Sequence, residues 1–265
     1  MDLGLKGRVA LVTAASRGLG LASAKALAAE GASVVICARG PQQLEAARSE
    51  VQGMAASGAR VEAIALDVAT AEAPKQLVGI ARERFSRLDV LVNNASGPPP
   101  GGFERVGDAE WERAFQLTLM SVVRLVREAL PLLCASGQGR IVNLVSTSVK
   151  QPIDNLLLSN ALRSAVVGLA KTLSRELGGS AITVNNILPG IILTDRQREL
   201  RGAEAARRGI SVEQAIAEAG RGVPLGRLGQ PEEVGALVTF LASAPAAYIT
   251  GTSIQVDGGL VVGMM

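Results

Sequence analysis

Short runs of β-branched and aliphatic residues alternate along the chain with longer stretches rich in Ala, Leu, Arg and Glu. The short runs predict strands at Val9–Thr13, Ser33–Cys37, Val61–Ala65, Val90–Asn93, Ile141–Val145, Thr183–Leu188 and Ser253–Val256. Helices are predicted for the intervening stretches, such as Leu21–Glu30, Gln42–Ser57 and Ala73–Phe85. This alternation indicates parallel β–α–β units, and continuously apolar strands indicate a sheet that is covered on both faces. We predict one α/β domain over residues 1–265, with a doubly wound parallel sheet of about seven strands between two layers of helices.

Two segments interrupt this alternation. Residues 97–102 read Gly-Pro-Pro-Pro-Gly-Gly, which predicts a loop directly after the fourth strand. Residues 194–222 follow the sixth strand and are charged, with a helical pattern. Because ligands bind beyond the carboxyl ends of strands in open α/β sheets, we predict that residues 194–222 form a helical lid.

The predicted lid is rich in charge of both signs. Its arginines are Arg196, Arg198, Arg201, Arg207, Arg208 and Arg221, and its glutamates are Glu199, Glu204, Glu213 and Glu218. The segment is either a solvated helical face with compensating charges, or a surface that binds the phosphate-bearing handle of a substrate, with Arg207 and Arg208 as its contacts.

Composition argues against several classes of function. Aromatic residues make up 2% of the chain, so we expect an aliphatic core and no stacking platform for single-stranded nucleic acid. A net charge of +3 does not by itself indicate a polyanionic partner. The chain has no histidine, which removes Ser-His-Asp catalysis and most zinc sites, and we predict no metal site.

The cysteines and the lengths of the apolar runs bear on location. Cys37 and Cys134 lie in apolar stretches without CxxC spacing, and we predict two buried free thiols in a reducing compartment. Residues 1–7 are too polar for a signal peptide, and no apolar run reaches the roughly 18–20 residues that span a bilayer. We expect a cytoplasmic protein that has no membrane partner.

The turn after the first predicted strand is a candidate binding site for a dinucleotide. It reads Ser16-Arg17-Gly18-Leu19-Gly20 and leads into an alanine-rich helix. Glycines at this point let backbone N–H groups approach a pyrophosphate at the helix N-terminus, as in a Rossmann-type fold. A simple tight turn is the alternative, because two glycines alone are a weak signal.

The ends of the next two strands refine the choice of cofactor. Arg39 follows the second strand, where an acidic residue would bind a ribose 2′-hydroxyl. Arg39 and Arg17 can instead pair with a 2′-phosphate, so we predict NADP(H) in preference to NAD(H). Asp67 and Val68 close the third strand, where the carboxylate of Asp67 either accepts from the adenine amino group or caps the next helix.

An ordered set of motifs extends over essentially the whole chain: Thr13, Gly18-Leu19-Gly20, Asp67, Asn93-Asn94-Ala95, Ser146, Pro189-Gly190, Thr194 and Val256-Asp257-Gly258-Gly259. With this set the chain resembles the short-chain dehydrogenase/reductase family, and most closely the branch labelled 3-oxoacyl-[acyl-carrier-protein] reductases. The resemblance implies an oxidoreductase that acts on a small molecule or an acyl thioester. It also implies a homo-oligomer, either a tetramer or a dimer.

The resemblance assigns roles to the residues that match. Ser146 would hydrogen-bond the substrate oxygen. Asn94 and Ala95 would line the cofactor, and its nicotinamide end would be held by Pro189, Gly190 and Thr194.

The chain departs from the family at the catalytic Tyr-x-x-x-Lys motif, where it has Ser159 and Arg163. Ser96 and Thr118 also replace a glycine and an asparagine of the family pattern. Ala14 stands where the family has the first glycine of the turn, and it fits if its φ angle is negative.

These departures change the expected chemistry. Ser159 is too weak an acid to replace a tyrosine, but with Ser146 it can form a two-donor site for developing negative charge. Arg163 keeps the positive charge, shares a helix face with Ser159 and can bind the ribose hydroxyls of the cofactor. The proton then needs another source: Lys150, if burial strips water from its ammonium group, a water relayed by Ser159, or Tyr248.

The sequence is consistent with two functions. The first is an NADP(H)-dependent reductase or dehydrogenase with a non-standard active site. Its substrate would be a carbonyl compound or an activated alkene on a thioester, as in the dienoyl-CoA reductases, which resemble the chain in having serine at the tyrosine position. The second is a catalytically weak or inactive NADP(H) sensor or scaffold protein.

Overall fold

The computed structural model describes residues 1–264 and contains one parallel sheet in the order β3-β2-β1-β4-β5-β6-β7. The strands are β1 (Val9–Val12), β2 (Ser33–Ala38), β3 (Val61–Ala65), β4 (Val90–Asn93), β5 (Arg140–Leu144), β6 (Thr183–Pro189) and β7 (Ser253–Val256). Every neighbouring pair is parallel. The predicted seven-stranded, doubly wound sheet is therefore confirmed, with strand ends that match or differ by one residue.

Helices connect the strands. They are α1 (Gly18–Ala29), α2 (Pro41–Met54), α3 (Ala73–Phe85), α4 (Asp108–Phe115), α5 (Ser121–Ala135), α6 (Leu157–Glu176), α7 (Asp195–Arg208), α8 (Val212–Arg221) and α9 (Pro231–Ala242). A π-helical turn over Gln116–Met120 joins α4 to α5. The segment predicted to be a lid is α7 and α8, whose N-termini are capped by the side chains of Thr194 and Ser211.

The strands are mainly apolar because each face of the sheet packs into its own core, although β3, β5, β6 and β7 also contain polar residues. In β1, Ala10 and Val12 face a core that includes residues of α1, α2 and α9, whereas Val9 and Leu11 face one that includes residues of α3, α5 and α6. Both cores are built from aliphatic side chains, as the composition predicted. Cys37 is buried in the second core, but Cys134 is exposed on α5, so the prediction that both thiols are buried was wrong for Cys134.

The strand order creates the crevice in which ligands are expected. From β1 the chain proceeds outward to β2 and β3, and it then returns to place β4 on the other side of β1. Such a reversal leaves a crevice beyond the carboxyl ends of β1 and β4. The loop at residues 97–102 follows β4 at this edge, as predicted. Within residues 1–264, no helix is both long and apolar enough to cross a membrane.

Candidate active site

A cleft of about 400 Å³ opens at this crevice. Of the residues predicted to bind the cofactor, the cleft brings together Ser16, Arg17, Gly18, Leu19, Arg39, Asp67, Val68, Asn94, Ala95, Arg163 and Thr194. These residues come from the ends of four strands, from the helices α1 and α6 and from the cap of α7. Gly20, Pro189, Gly190, Ser146, Ser159 and Lys150 are not among the lining residues.

Glycines shape the turn between β1 and α1. Gly18 has a φ angle of +58°, which favours glycine, and α1 begins there. Gly20 lies one layer below the cleft, where a Cβ atom would lie 2.8 Å from Nδ2 of Asn94 and would collide with the carbonyl oxygen of Ala14. Gly20 therefore lets α1 and β4 approach each other closely, and its predicted contact with the cofactor stays a prediction.

Ala14 adopts the left-handed conformation, with a φ angle of +48°. The expectation that its φ angle is negative was wrong. The geometry of the turn is retained although its first glycine is replaced, so the Cβ atom of Ala14 is held in a conformation that costs about 1–2 kcal/mol for a residue other than glycine.

Asn94 ties β4 to this turn. Its backbone N–H donates to Oγ1 of Thr13 at 2.8 Å, and the Thr13 hydroxyl donates to the carbonyl oxygen of Asn94 at 2.7 Å. The side-chain amide of Asn94 donates to the carbonyl oxygen of Ala14 at 3.2 Å. The cleft wall formed by Asn94 and Ala95 is thus fixed before any ligand arrives.

The rim near β2 and β3 carries the two arginines predicted to face a 2′-phosphate. Arg39 is exposed, and it forms no ion pair with a carboxylate of residues 1–264. Arg17 pairs with Glu199 of α7 at 3.4 Å, across the mouth of the cleft. Asp67 accepts from the backbone N–H of Ala69 at 3.0 Å, and since α3 begins at residue 73, the alternative of a helix cap is wrong.

Arg163 reaches the cleft from α6. Its Nη1 donates to the carbonyl oxygens of Leu144 at 3.1 Å and Val145 at 2.7 Å, so the guanidinium is held at the end of β5, directly before Ser146. Burial, with a further contribution from the charge of Arg196, lowers the pKa of Arg163 to about 10. The group is therefore still charged at neutral pH.

Ser146 and Ser159 lie next to this end of the cleft but do not line it. Ser146 begins a short 3₁₀ turn, and its Oγ accepts from the backbone N–H of Ser148 at 3.0 Å. Its hydroxyl proton stays available for another acceptor. Ser159 is buried in the first turn of α6, one helical turn before Arg163.

The other candidate proton donors lie elsewhere. Lys150 is exposed and does not line the cleft, so the burial that its proposed role requires is absent. Tyr248 is fully exposed, between α9 and β7. Neither side chain supports the acid role that the sequence suggested for it.

A second, small cavity of about 20 Å³ lies behind Arg163. Thr118 on the π-helical turn and Asn93 at the end of β4 line it, and Oγ1 of Thr118 and Oδ1 of Asn93 have no hydrogen-bond partner in residues 1–264. A space of this size and polarity suits a single water molecule.

Two further observations concern the cysteine and acidic side chains of the described part of the chain. Burial raises the pKa of the Cys37 thiol to about 12, which keeps it protonated and unreactive at the cleft floor. No cluster of three or more Cys, Asp or Glu side chains within residues 1–264 has the arrangement of a metal site.

Several residues that line the cleft were not predicted from the sequence. Among them, Arg196 and Gln43 are polar, and Gly97 lies beside charged groups. Arg196 was visible only as one of six arginines in the lid, and nothing in the sequence separated it from the others. The loop containing Gly97 was predicted, but not its position beside the guanidinium groups of Arg163 and Arg196.

The fold and the cleft together define a dinucleotide-binding α/β protein. A family profile described as Enoyl-(Acyl carrier protein) reductase matches residues 13–261. A 3-oxoacyl-[acyl-carrier-protein] reductase of Synechocystis sp. is 36% identical over 259 residues, which are 97% of this chain and 98% of that protein. The chain therefore belongs to the short-chain dehydrogenase/reductase family, in the branch of the 3-oxoacyl-[acyl-carrier-protein] reductases.

Solved structures agree with this placement. L-sorbose reductase from Gluconobacter frateurii, complexed with NADPH and L-sorbose, is 33% identical, with a TM-score of 0.96 over 100% of both chains. A short-chain oxidoreductase from Pseudomonas aeruginosa PAO1, described as containing an atypical catalytic center, is also 33% identical. Its TM-score is 0.92 over 98% of this chain and 99% of that one.

Proposed function

We propose that the chain is an NADP(H)-dependent short-chain reductase that acts on a carbonyl group of a small molecule or an acyl thioester, through a non-standard active site. The observation that carries this proposal is Arg39, which stands unpaired within residues 1–264 at the end of β2, beside a glycine turn that opens α1. A positive charge at this place suits a 2′-phosphate, and an acidic residue would repel it.

The residues present fit NADP(H). The turn around Gly18 offers backbone N–H groups to a pyrophosphate, and a Cβ atom at position 18 would lie 3.4 Å from the methyl group of Thr194, so the turn and the lid form a narrow cradle. Arg39 and Arg17 would hold the 2′-phosphate, Asp67 and Val68 the adenine, and Asn94, Ala95 and Thr194 the nicotinamide half. NADPH, when bound, supplies the electrons and the hydrogen that reduce a carbonyl carbon.

The protein's part in the reaction is to orient the carbonyl group and to stabilise its oxygen as negative charge develops. Ser146 and Ser159 would each donate a hydrogen bond to that oxygen. The positive charge of Arg163 at the end of β5 would stabilise the negative charge that develops there. Neither serine is acidic enough to give up its proton outright, so the proton that completes the alcohol comes from water relayed through Ser159.

The proposal is tested by turnover. Purified protein is mixed with NADPH and a panel of ketoacyl thioesters, enoyl thioesters, diketones and oxo acids, and NADPH oxidation is followed. We expect turnover in the wild type, and a loss of about 100- to 1000-fold in kcat for Ser146→Ala, because the variant lacks a donor to the developing oxyanion. Ser57→Ala, on an exposed loop, is the matched control and should leave kcat unchanged.

The alternative is an NADP(H) sensor or scaffold protein, and one observation favours it: neither Lys150 nor Tyr248 lies at the cleft to act as an acid. Tight NADPH binding without turnover of any compound in the panel would support the sensor and contradict the reductase. The homo-oligomer implied by the family stays a prediction.

A further inference from the structure

Two guanidinium groups from different helices meet at one end of the cleft. Arg163 extends from α6 and Arg196 from the first turn of α7, and both line the cleft. A Cβ atom placed on Gly97 would lie 3.6 Å from Nη1 of Arg196 and 3.9 Å from Nη2 of Arg163. Gly97 therefore leaves open a space that is bordered by both cations.

Within residues 1–264, neither guanidinium forms an ion pair with a carboxylate. Asp195 also lines the cleft, but it is not within ion-pair distance of either arginine. In contrast, Arg208, one of the two lid arginines expected to bind a phosphate handle, is paired with Glu204 and Glu218. Arg207, the other of the two, forms no ion pair within residues 1–264, but it is exposed and does not line the cleft, so neither of the predicted phosphate contacts brings an unpaired charge to the cleft.

Arg163 is desolvated by burial and Arg196 is exposed at the edge of the cleft, and their like charges repel each other across the space beside Gly97. The effect is visible at Arg163, whose pKa is lowered by burial and by the charge of Arg196. An anion between the two guanidinium groups would replace this repulsion by two attractive, charge-assisted hydrogen-bonding contacts.

The position of the pair separates it from the phosphate-binding end of the cleft. Arg163 is fixed to the carbonyl oxygens of Leu144 and Val145, which immediately precede Ser146. The glycine turn and Arg39 mark the other end, beyond β1 and β2. An anion held by Arg163 and Arg196 would therefore lie near the group that is reduced.

We propose that Arg163 and Arg196 together bind a carboxylate of the substrate, so that this reductase acts on oxo acids. The proposal rests on the reductase function proposed above and names its class of substrate. A carboxylate accepts two guanidinium groups well because it has two oxygens with about four lone-pair sites. A carbonyl group close to a carboxylate held in this way would be oriented towards Ser146 by the same contacts.

The test compares 2-oxo and 3-oxo acids with their methyl esters as substrates, in the wild type and in Arg196→Gln. We expect the acids to be preferred by the wild type. In Arg196→Gln, KM for the acids should rise about 10- to 100-fold, while KM for the esters and the dissociation constant of NADPH change less than about twofold. Arg196→Lys should recover part of the loss. Arg198→Gln, on an exposed and unpaired position of the same helix, is the control and should behave as the wild type.

Two results would overturn the proposal. Equal use of acids and esters by the wild type would mean that no carboxylate is recognised. A loss of NADPH affinity in Arg196→Gln as large as the rise in KM would mean that the two arginines bind the diphosphate of the dinucleotide and not a substrate carboxylate.

The proposal is also separable from the reductase function. If the protein binds NADPH but reduces nothing, the proposed function fails, and oxalate binding to the NADPH-loaded protein then tests the anion site by itself. A shift of Tm by oxalate that is present in the wild type and absent in Arg196→Gln would retain the site. No shift in either protein would reject it.

Discussion

Ala14 shows how a single residue can depart from a family pattern without changing the backbone. Its φ angle of +48° keeps the turn that a glycine would form, and Asn94 holds the Ala14 carbonyl in place. The strain of this conformation is confined to one residue of the turn.

We expect Ala14→Gly to stabilise the protein by about 0.5–1 kcal/mol. The gain from relieving the left-handed conformation exceeds the entropy that glycine adds to the unfolded chain. The measurement is urea-induced unfolding. Ala71→Gly, in an exposed turn and not at a positive φ angle, is the control and should destabilise by a similar amount. If both variants changed the free energy of unfolding in the same direction, the result would contradict the strain at Ala14.

The titration of Arg163 predicts how kcat/KM depends on pH. Its pKa of about 10 means that the charge at the end of β5 is present at pH 7–9 and is lost as the pH rises through 10. We expect kcat/KM to be constant over pH 7–9 and to fall above pH 10. The unfolded chain, in which arginine has its higher ordinary pKa, binds more protons in this window, so titration of Arg163 alone makes the fold more stable there and does not explain the fall.

The measurement is a pH profile of kcat/KM in the wild type and in Arg163→Gln. The variant should be slower at pH 8 and should lack the decline that begins near pH 10. A decline centred below pH 9 would assign the titration to another group.

At the scale of elements, the glycine turn depends on how closely α1 and α9 pack. Gly235 of α9 faces α1, and a Cβ atom at Gly235 would lie 2.8 Å from the carbonyl oxygen of Ala22. A methyl group at this point would push the two helices apart and shift the N-terminus of α1, which carries Gly18.

We therefore expect Gly235→Ala to destabilise the protein by about 1–3 kcal/mol and to weaken NADPH binding. Gly79→Ala is the matched control, because Gly79 is a helical glycine of α3 with no atom near the added Cβ. It should stabilise by up to about 1 kcal/mol, since alanine is the better helix former. Thermal and urea unfolding of both variants provide the comparison, and a stabilised Gly235→Ala would contradict the close packing.

The strands and helices were largely predictable because each is marked by the pattern of its own residues. β1, β2 and β4 are nearly continuous apolar runs and the other strands contain short apolar stretches, so β1 to β7 stand out without any knowledge of their neighbours. The helical structure of residues 194–222 was predictable from their sequence pattern, and α7 and α8 occupy this segment, whereas its action as a lid stays a prediction.

Side-chain direction was less predictable than backbone position. Residues at strand ends, such as Arg39, Asp67 and Asn94, were placed correctly because the carboxyl ends of parallel strands share one edge. The exposure of Lys150, the left-handed Ala14 and the approach of Arg196 to Gly97 depend on packing between distant segments, on which the sequence pattern carries no information.

At the scale of the whole molecule, the strand order brings the two halves of the candidate site together. The reversal between β1 and β4 places the turn at Gly18 opposite the loop at Gly97, and α7 extends over both. Arg17 and Glu199 join the turn to α7 in the same place. The proposed cofactor and substrate sites are therefore two ends of a single cleft, which Arg163 lines and beside which Ser159 is buried.

The most direct test of the proposed NADP(H) site, on which the reductase function depends, is a fluorescence titration of the purified protein with NADPH and with NADH, repeated for Arg39→Asp. We expect the wild type to prefer NADPH. Arg39→Asp should weaken NADPH binding about 10- to 100-fold and leave NADH binding nearly unchanged, because a charge-assisted contact with the 2′-phosphate is lost. Arg82→Asp, an exposed arginine of α3 away from the cleft, should leave both affinities unchanged. Equal affinity of the wild type for the two dinucleotides, or no binding of either, would contradict the account.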